Sequence, residues 1–171
     1  MQVISRPFDF LGVNYYNRVF AHDVWYLPFF RAWVEREAPP GQEFIEDPHL
    51  GSNAYPSGLC ELAARYRQEY GNPVVYITEN GSGVEDTLEE DRVHDAHRQH
   101  YLQAYLMKLA QAIQEGSDIR GYFVWSLMDN FEWNSGYDCR MGIIYVDHTT
   151  QRRIPKDSAF WYRDLIRSQV R

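Results

Sequence analysis

VVYITENG, at residues 74–81, is a run of β-branched and aromatic residues that ends in a polar turn. Such a run predicts a buried β-strand whose carboxyl end presents Glu79. Before it, apolar residues recur at helical spacing over residues 56–70, and Gly71 then supplies a stop signal. After it, a second helix is predicted over about residues 95–114. The apolar stripe of that second helix consists of Leu102, Leu106, Leu109 and Ile113.

Two further strands are predicted, and both also end in polar or aromatic residues. Residues 8–16 pass from an apolar run into Asn-Tyr-Tyr, and residues 119–126 end in Trp-Ser. A third helix is predicted to begin near Asp157 or Ser158. A strand followed by a helix, repeated along the chain, predicts an α/β fold in which right-handed crossovers join parallel strands.

The two long connections are less regular. Residues 17–55 contain scattered aromatic residues and a Pro-Pro-Gly sequence, and we interpret them as a long loop with some helix. Residues 127–156 are predicted to be a long connection that contains a hairpin around residues 143–146. The chain shows no sequence repeat that would suggest another architecture.

Composition narrows the class of protein. The 171 residues are 44% hydrophobic and 24% charged, which is typical of a globular domain. The net charge of -7 argues against a nucleic-acid partner, because phosphate binding needs clustered Lys and Arg. No window approaches a membrane span, and the first residues lack a signal-peptide pattern. A cytoplasmic protein with no membrane partner is therefore expected.

The remaining polar clusters do not indicate a metal. Neither cysteine has metal-type spacing, so the sequence predicts no zinc site and no disulfide framework. His94, His97 and His100 are spaced by three at the start of a predicted helix, and we expect them to point to solvent. The acidic run at residues 85–91 is interpreted as a solvated surface.

Glu79 is the best candidate for a reacting group. The carboxyl ends of parallel strands meet at one edge of a sheet, where α/β enzymes hold their catalytic residues. A carboxylate that follows an apolar strand is costly unless it lies in a cleft or is held by hydrogen-bond donors. From the residues alone, a loop hydrogen bond or a helix cap is the commoner role for such a Glu.

Three motifs favour a catalytic role for Glu79 over a structural one. ITENG at residues 77–81 resembles the nucleophile motif of glycoside hydrolase family 1. FVWSLMDNFEW at residues 123–133 is similar to the sugar-binding segment that follows it in that family, and DFLGVNYY at residues 9–16 is similar to an earlier strand motif. The resemblance extends across nearly the whole chain, and only about residues 24–53 match poorly.

The resemblance implies a role for each of seven residues. Glu79 would be the nucleophile of a retaining mechanism, and Tyr16 would orient its carboxylate by a hydrogen bond. The implied substrate-binding residues are Asn14, Trp125, Glu132, Trp133 and Met141. Among these, Trp125 would form a stacking floor, and the negative charge of Glu132 would disfavour a phosphorylated sugar. Met141 stands where the family usually has a Phe near the sugar.

One essential part of the family's machinery is absent from the sequence. The acid/base of the family is a Glu in an Asn-Glu-Pro motif, and the chain contains no Asn-Glu pair. A TIM (β/α)8 barrel also takes roughly 250 residues or more. The resemblance therefore implies that residues 1–171 are the C-terminal part of one barrel domain, about three βα units, to be completed by an N-terminal chain or segment.

Two classes of function remain open at this point. The first is part of a β-glucosidase-like retaining hydrolase that acts on terminal β-linked glucosyl residues, with no cofactor and no metal. The second is a catalytically incomplete sugar-binding fragment, or a remnant that self-associates as a homo-oligomer to cover its open edges. Transfer of the sugar to another hydroxyl instead of water is a variant of the first.

Overall fold

Seven strands and three helices make up the described part of the chain. The structure is a computed structural model that describes residues 6–26, 29, 31–35, 45, 54–133 and 135–169. The strands are β1 (Leu11–Asn14), β2 (Phe20–Asp23), β3 (Ala32–Glu35), β4 (Val75–Asn80), β5 (Ile119–Val124), β6 (Ile144–Val146) and β7 (Arg153–Pro155). The helices are α1 (Pro56–Glu69), α2 (Ala96–Gln114) and α3 (Asp157–Gln169).

One parallel sheet organises these elements. β1, β4 and β5 lie side by side, with β4 in the middle. In the register of the sheet, Val13 lies opposite Ile77, and Ile77 lies opposite Tyr122. Because α1 leads into β4 and α2 leads into β5, both connections are crossovers between neighbouring parallel strands. The predicted α/β fold with three parallel strands is confirmed.

The core lies between this sheet and the helices, because the apolar faces of both are covered there. Its buried members are Val13, Ala54, Leu59, Val75, Ile77, Tyr101, Leu102, Tyr105, Leu109 and Ile143. The predicted stripe of α2 is partly wrong, since Ile113 is exposed. The buried face of α2 instead consists of Tyr101, Tyr105, Leu109 and Ala112, which recur at helical spacing. Ile113 directly follows Ala112 in the sequence and therefore lies on a different face of the helix.

The described part of the connection after β1 contains a hairpin, whereas the sequence predicted a loop with some helix; residues 36–44 and 46–53 of that segment, with the Pro-Pro-Gly sequence, lie outside the described residues. β2 and β3 form an antiparallel hairpin, in which Phe20 lies opposite Glu35 and Asp23 lies opposite Ala32. Two hydrogen bonds of 3.1 and 2.8 Å from the Arg31 guanidinium to Asp23 close the hairpin. Strands of four residues are too short to show a clear alternation in the sequence. Among the described residues between Asn17 and Tyr55, no helix is present.

The other predicted connection is confirmed. β6 pairs with β7 in an antiparallel hairpin, with Tyr145 opposite Ile154, and α3 begins directly afterwards at Asp157. In the part of the chain that the structure describes, no helix combines the length and the apolar character that crossing a membrane requires.

The histidines at the start of α2 follow the prediction only in part. His94 and His100 are exposed, whereas His97 is half-buried and its Nε2 atom is buried without a hydrogen-bond partner among the described residues. The spacing of three places His97 nearer the packed side of the helix than its two neighbours. Among the described residues, no group of side chains is arranged to hold a metal ion.

Candidate active site

Glu79 and Tyr16 meet at the carboxyl ends of two neighbouring strands. β1 and β4 pair so that Asn14 lies opposite Glu79, and the Tyr15 N–H donates to the Glu79 carbonyl oxygen at 3.0 Å. The next side chain, Tyr16, donates its hydroxyl to Oε2 of Glu79 at 2.7 Å. Glu79 is half-buried, so part of its carboxylate remains accessible. The structure thus brings together the predicted nucleophile and its predicted orienting residue.

The surroundings of Tyr16 keep its proton in place. Burial raises the pKa of Tyr16 well above its usual value, and the hydrogen bond to Glu79 and the charges of Glu79 and Glu132 raise it further. The phenol therefore remains a hydrogen-bond donor across the neutral pH range. A donor that does not titrate holds the Glu79 carboxylate in one orientation.

A second pair, Trp125 and Glu132, lies beside the first. The backbone N–H of Trp125 donates to the Asn80 carbonyl oxygen at 2.9 Å, which joins the end of β5 to the end of β4. The indole Nε1–H of Trp125 donates to Oε1 of Glu132 at 3.1 Å. Because Asn80 directly follows Glu79, the backbone bond between Asn80 and Trp125 places the two pairs at adjoining strand ends.

The other three predicted sugar contacts differ in accessibility. Asn14 is exposed, and its Oδ1 accepts a hydrogen bond from the Thr78 hydroxyl at 2.6 Å. Trp133 is 90% exposed and is free to meet a ligand. Met141 is only 3% exposed. Met141 thus offers little surface in this chain, and its role as a substrate-binding residue, which the resemblance implies, stays a prediction.

The position of Trp125 depends on a glycine. A Cβ atom at Gly81 would lie 1.7 Å from the Trp125 carbonyl oxygen, which is far inside van der Waals contact. The clash is with backbone, so a side-chain rotation cannot relieve it. The absence of a side chain at Gly81 thus allows the ends of β4 and β5 to approach.

Gly81→Ala is therefore expected to displace Trp125 and to lower the free energy of unfolding by about 1–3 kcal/mol. Urea unfolding, in the presence of the N-terminal portion that the resemblance implies, measures the change. Gly71→Ala is the control, since Gly71 has a φ of 73° and open space around it. It should cost only about 1 kcal/mol from backbone strain. An equal loss in both variants would contradict the steric argument.

A buried ionic network, which the sequence did not reveal, supports the loop that carries Glu132. It contains three cations and three carboxylates, so its formal charges cancel. Its members are Asp86, Asp95, Arg98, Asp129, Arg140 and Lys156. Arg98 donates two hydrogen bonds of 3.1 Å to Asp86 and also binds Asp95. Lys156 binds Asp129 at 2.7 Å and also binds Asp86.

Asp129 connects this network to the loop that carries Glu132. It accepts hydrogen bonds from the Arg140 guanidinium at 2.7 Å and from the Gly142 N–H at 3.0 Å. Asp129 and Arg140, which flank Glu132 in the chain, are therefore anchored to α2 and to the residue that precedes α3. The expectation that the acidic run at residues 85–91 is fully solvated is wrong for Asp86, whose side chain is 1% exposed.

Two signals in the sequence could have suggested this network. Arg98 precedes Tyr101 and Leu102 by three and four residues, so it shares the packed face of α2, where an unpaired cation would be costly. Lys156 follows the apolar pair Ile154 and Pro155 and directly precedes the start of α3. Which carboxylates bind these cations depends on residues far apart in the chain, and no local pattern identifies them.

Proteins of known family that resemble this chain agree with this geometry. Parallel βα units, with Glu79 and Trp125 at the carboxyl ends of their strands, form a section of a (β/α)8 barrel. More specifically, the chain belongs to glycosyl hydrolase family 1, whose family model matches residues 1–170.

Known proteins of the family show how much of the barrel is present. Beta-glucosidase A of Thermotoga maritima is 43% identical over 98% of this chain and 36% of its own length. Thermostable beta-glucosidase B of Thermobispora bispora is 44% identical over 98% of this chain and 34% of its own length. The solved Thermotoga maritima beta-glucosidase in complex with glucoimidazole has a TM-score of 0.84 and 41% identity, over 97% of this chain and 36% of that one. The chain thus spans about a third of the length of these relatives.

Proposed function

We propose that this chain is the C-terminal portion of a retaining β-glycosidase that hydrolyses terminal β-linked glucosyl residues. The observation that carries the proposal is the 2.7 Å hydrogen bond from Tyr16 to Glu79, at a strand end shared with Trp125 and Glu132. An oriented carboxylate beside an aromatic surface and a second carboxylate suits attack on a sugar ring. The names of the relatives, which are β-glucosidases, support the same reaction class.

The geometry suggests which oxygen attacks. Tyr16 occupies Oε2 of Glu79, so we assign the attack on the anomeric carbon to Oε1. As the new bond forms, the bond from that carbon to the leaving oxygen breaks, and the leaving oxygen must be protonated. Water then displaces Glu79, and the same acid/base group takes a proton from that water, so the anomeric configuration is retained.

The proton donor has to come from outside this chain. In retaining glycosidases the two carboxyl groups lie about 5 to 5.5 Å apart on opposite sides of the glycosidic bond. Glu132 is bound to the Trp125 indole, which suits contact with sugar hydroxyls better than proton transfer. We propose that the missing acid is a Glu on the N-terminal portion of the same barrel, supplied by a separate chain or by a preceding segment.

The open sides of the sheet support such a partner. Among the described strands, β1 and β5 each pair with β4 alone in this sheet, so one edge of each carries backbone groups without a strand neighbour. Phe8, Phe10 and Phe123, at or next to these edges, are 61%, 53% and 56% exposed. A parallel strand added at each edge would satisfy the backbone and cover these rings, as closure of a barrel requires.

Complementation tests the proposal. The chain is mixed with the N-terminal portion of a family member, and native mass spectrometry reports whether a complex forms. The complex is then treated with a 2-deoxy-2-fluoro-β-glucoside, which traps the covalent intermediate, and the labelled peptide is identified. We expect a complex that hydrolyses an aryl β-glucoside and is labelled at Glu79. A complex that binds glucose without labelling would indicate a sugar-binding module, and a stable homo-oligomer that excludes the N-terminal portion would favour a remnant.

The charge of Glu132 also bears on the substrate. A carboxylate near the edge of the sugar hydrogen-bonds to two hydroxyls but repels a phosphate. We therefore propose that the complex prefers plain glucosides over 6-phosphoglucosides. Comparison of kcat/KM for the aryl glucoside and its 6-phosphate tests this preference, and an equal or higher value for the phosphorylated substrate would contradict it.

A further inference from the structure

Two buried tyrosine hydroxyls converge on one backbone carbonyl next to the nucleophile. Tyr101 and Tyr105 donate to the carbonyl oxygen of Tyr16 at 3.0 and 2.8 Å. Both residues are completely buried. They lie four apart on α2, so they occupy the same face of the helix, and their rings are 4.6 Å apart. The two tyrosines thus hold Tyr16, whose own phenol binds Glu79.

The preceding peptide is held in a similar way. The side-chain amide of Asn80 donates to the Tyr15 carbonyl oxygen at 2.7 Å and to the Tyr101 hydroxyl at 3.1 Å. Asn80 is fully buried, and its Oδ1 accepts a hydrogen bond from Tyr122. Asn80 directly follows Glu79 in the sequence. Two consecutive carbonyls of the segment that follows β1 are therefore fixed by side chains of α2 and of the nucleophile's own strand.

These hydrogen bonds determine where the Tyr16 backbone lies. The Tyr15 N–H still bonds to the Glu79 carbonyl oxygen of β4, whereas the Tyr16 backbone is held through its carbonyl oxygen by the hydroxyls of Tyr101 and Tyr105. A buried phenol needs a partner for its hydroxyl, but any acceptor nearby would satisfy that need. Here both hydroxyls use the same carbonyl, so together they determine the position of Tyr16 relative to β4. An error of about 1 Å in a catalytic contact can reduce the rate by roughly two orders of magnitude.

We propose that Tyr101 and Tyr105 are positioning residues, which hold the Tyr16 backbone so that its phenol meets Oε2 of Glu79. The inference rests on the proposed function, because it assigns the benefit to attack by Glu79. The bonds are neutral, and no proton is transferred along them. The two tyrosines do not touch the substrate and act only through Tyr16.

A double-mutant cycle tests this role in the complex with the completing polypeptide. Tyr105→Phe, Tyr16→Phe and the double variant are compared for labelling by the fluoroglucoside, which gives an inactivation rate constant and a binding constant. We expect Tyr105→Phe to lower the rate constant about tenfold and to change the binding constant less than about twofold. In the Tyr16→Phe background, Tyr105→Phe should change the rate constant less than about twofold, because the contact it serves is already gone.

The control removes another tyrosine hydroxyl that donates to a backbone carbonyl. Tyr162 donates to the Tyr122 carbonyl oxygen at 3.1 Å, and Tyr162→Phe should leave labelling unchanged. A merely structural role for Tyr105 would give the same reduction with and without Tyr16. That result would overturn the proposal, and so would full-rate labelling of Tyr105→Phe.

Labelling of the unsubstituted complex separates the proposed function from the positioning role. If the unsubstituted complex is not labelled, the proposed function itself is wrong, and this assignment falls with it. If that complex is labelled and the cycle shows no coupling, only the positioning role is wrong. Tyr101→Phe repeats the cycle where Tyr105→Phe fails to assemble. Failure of both variants to form the complex would also overturn the proposal, because it would assign the two hydroxyls to folding.

Discussion

Glu79→Gln is expected to abolish glucoside hydrolysis by the assembled enzyme. The amide has nearly the same shape as the carboxylate, but it has no charge and does not form a glycosyl ester. Loss of a nucleophile typically costs about 10⁴-fold or more in kcat. Because the Tyr16 hydroxyl can donate to the amide oxygen in place of Oε2, the fold should tolerate the change. Hydrolysis of an aryl β-glucoside and labelling by the fluoroglucoside measure the effect.

Glu69→Gln is the matched control. Glu69 lies on α1 and pairs with Arg65 at 3.0 Å on the exposed surface of that helix. Its loss should leave kcat/KM unchanged, since an exposed pair contributes little and lies outside the site. Substantial hydrolysis by the Glu79→Gln complex, or labelling at a different carboxylate, would show that Glu79 is not the nucleophile.

Arg98→Met is expected to produce the largest loss of stability. The Arg98 side chain has no exposed surface, and it binds Asp86 and Asp95, which are equally buried. Burial alone would lower the pKa of Arg98, but the charges and hydrogen bonds of these two carboxylates outweigh it and raise that pKa. Methionine removes the cation and leaves two buried carboxylates short of partners. Breaking a buried ion pair from one side typically costs about 3–5 kcal/mol.

Arg163→Met is the matched control for this prediction. Arg163 pairs with Asp164 at 2.8 Å on the exposed surface of α3, so its replacement should cost less than about 1 kcal/mol. Urea unfolding of both variants in the complex measures the difference. Equal unfolding midpoints would contradict the argument. Absence of folded Arg98→Met complex, under conditions where the Arg163→Met complex assembles, would support it.

The ionic network bears on the position of Glu132 as well as on the free energy of unfolding. Lys156 and Arg140 both bind Asp129, which begins the loop that carries Glu132. Burial lowers the pKa of Lys156, and the nearby charge of Arg98 lowers it further, while Asp129 and Asp86 act in the opposite direction. The position of Glu132 therefore depends on the charged groups that hold Asp129, three residues before it. Variants of this network should lose binding of the sugar as well as stability.

Much of the fold was predictable because the relevant signals are local. The run at residues 74–81 and the helical spacing around Leu59 and Leu109 predicted elements that the structure confirms. The hairpin of β2 and β3 was not predicted, because its strands are short and their pairing bridges a turn. Met141 was assigned to the sugar pocket by resemblance, and only packing showed that its side chain is buried.

What the sequence alone determined was the order of the βα units, the family resemblance and the identity of Glu79 as the candidate nucleophile. These depend on periodicity and on motifs of consecutive residues, both of which can be read without a structure. The tertiary structure decided which distant groups meet: Tyr16 with Glu79, Trp125 with Glu132, and Arg98 with Asp86. Such contacts form between residues far apart in the chain because the parallel strands and crossover helices bring them together, and no local pattern encodes them.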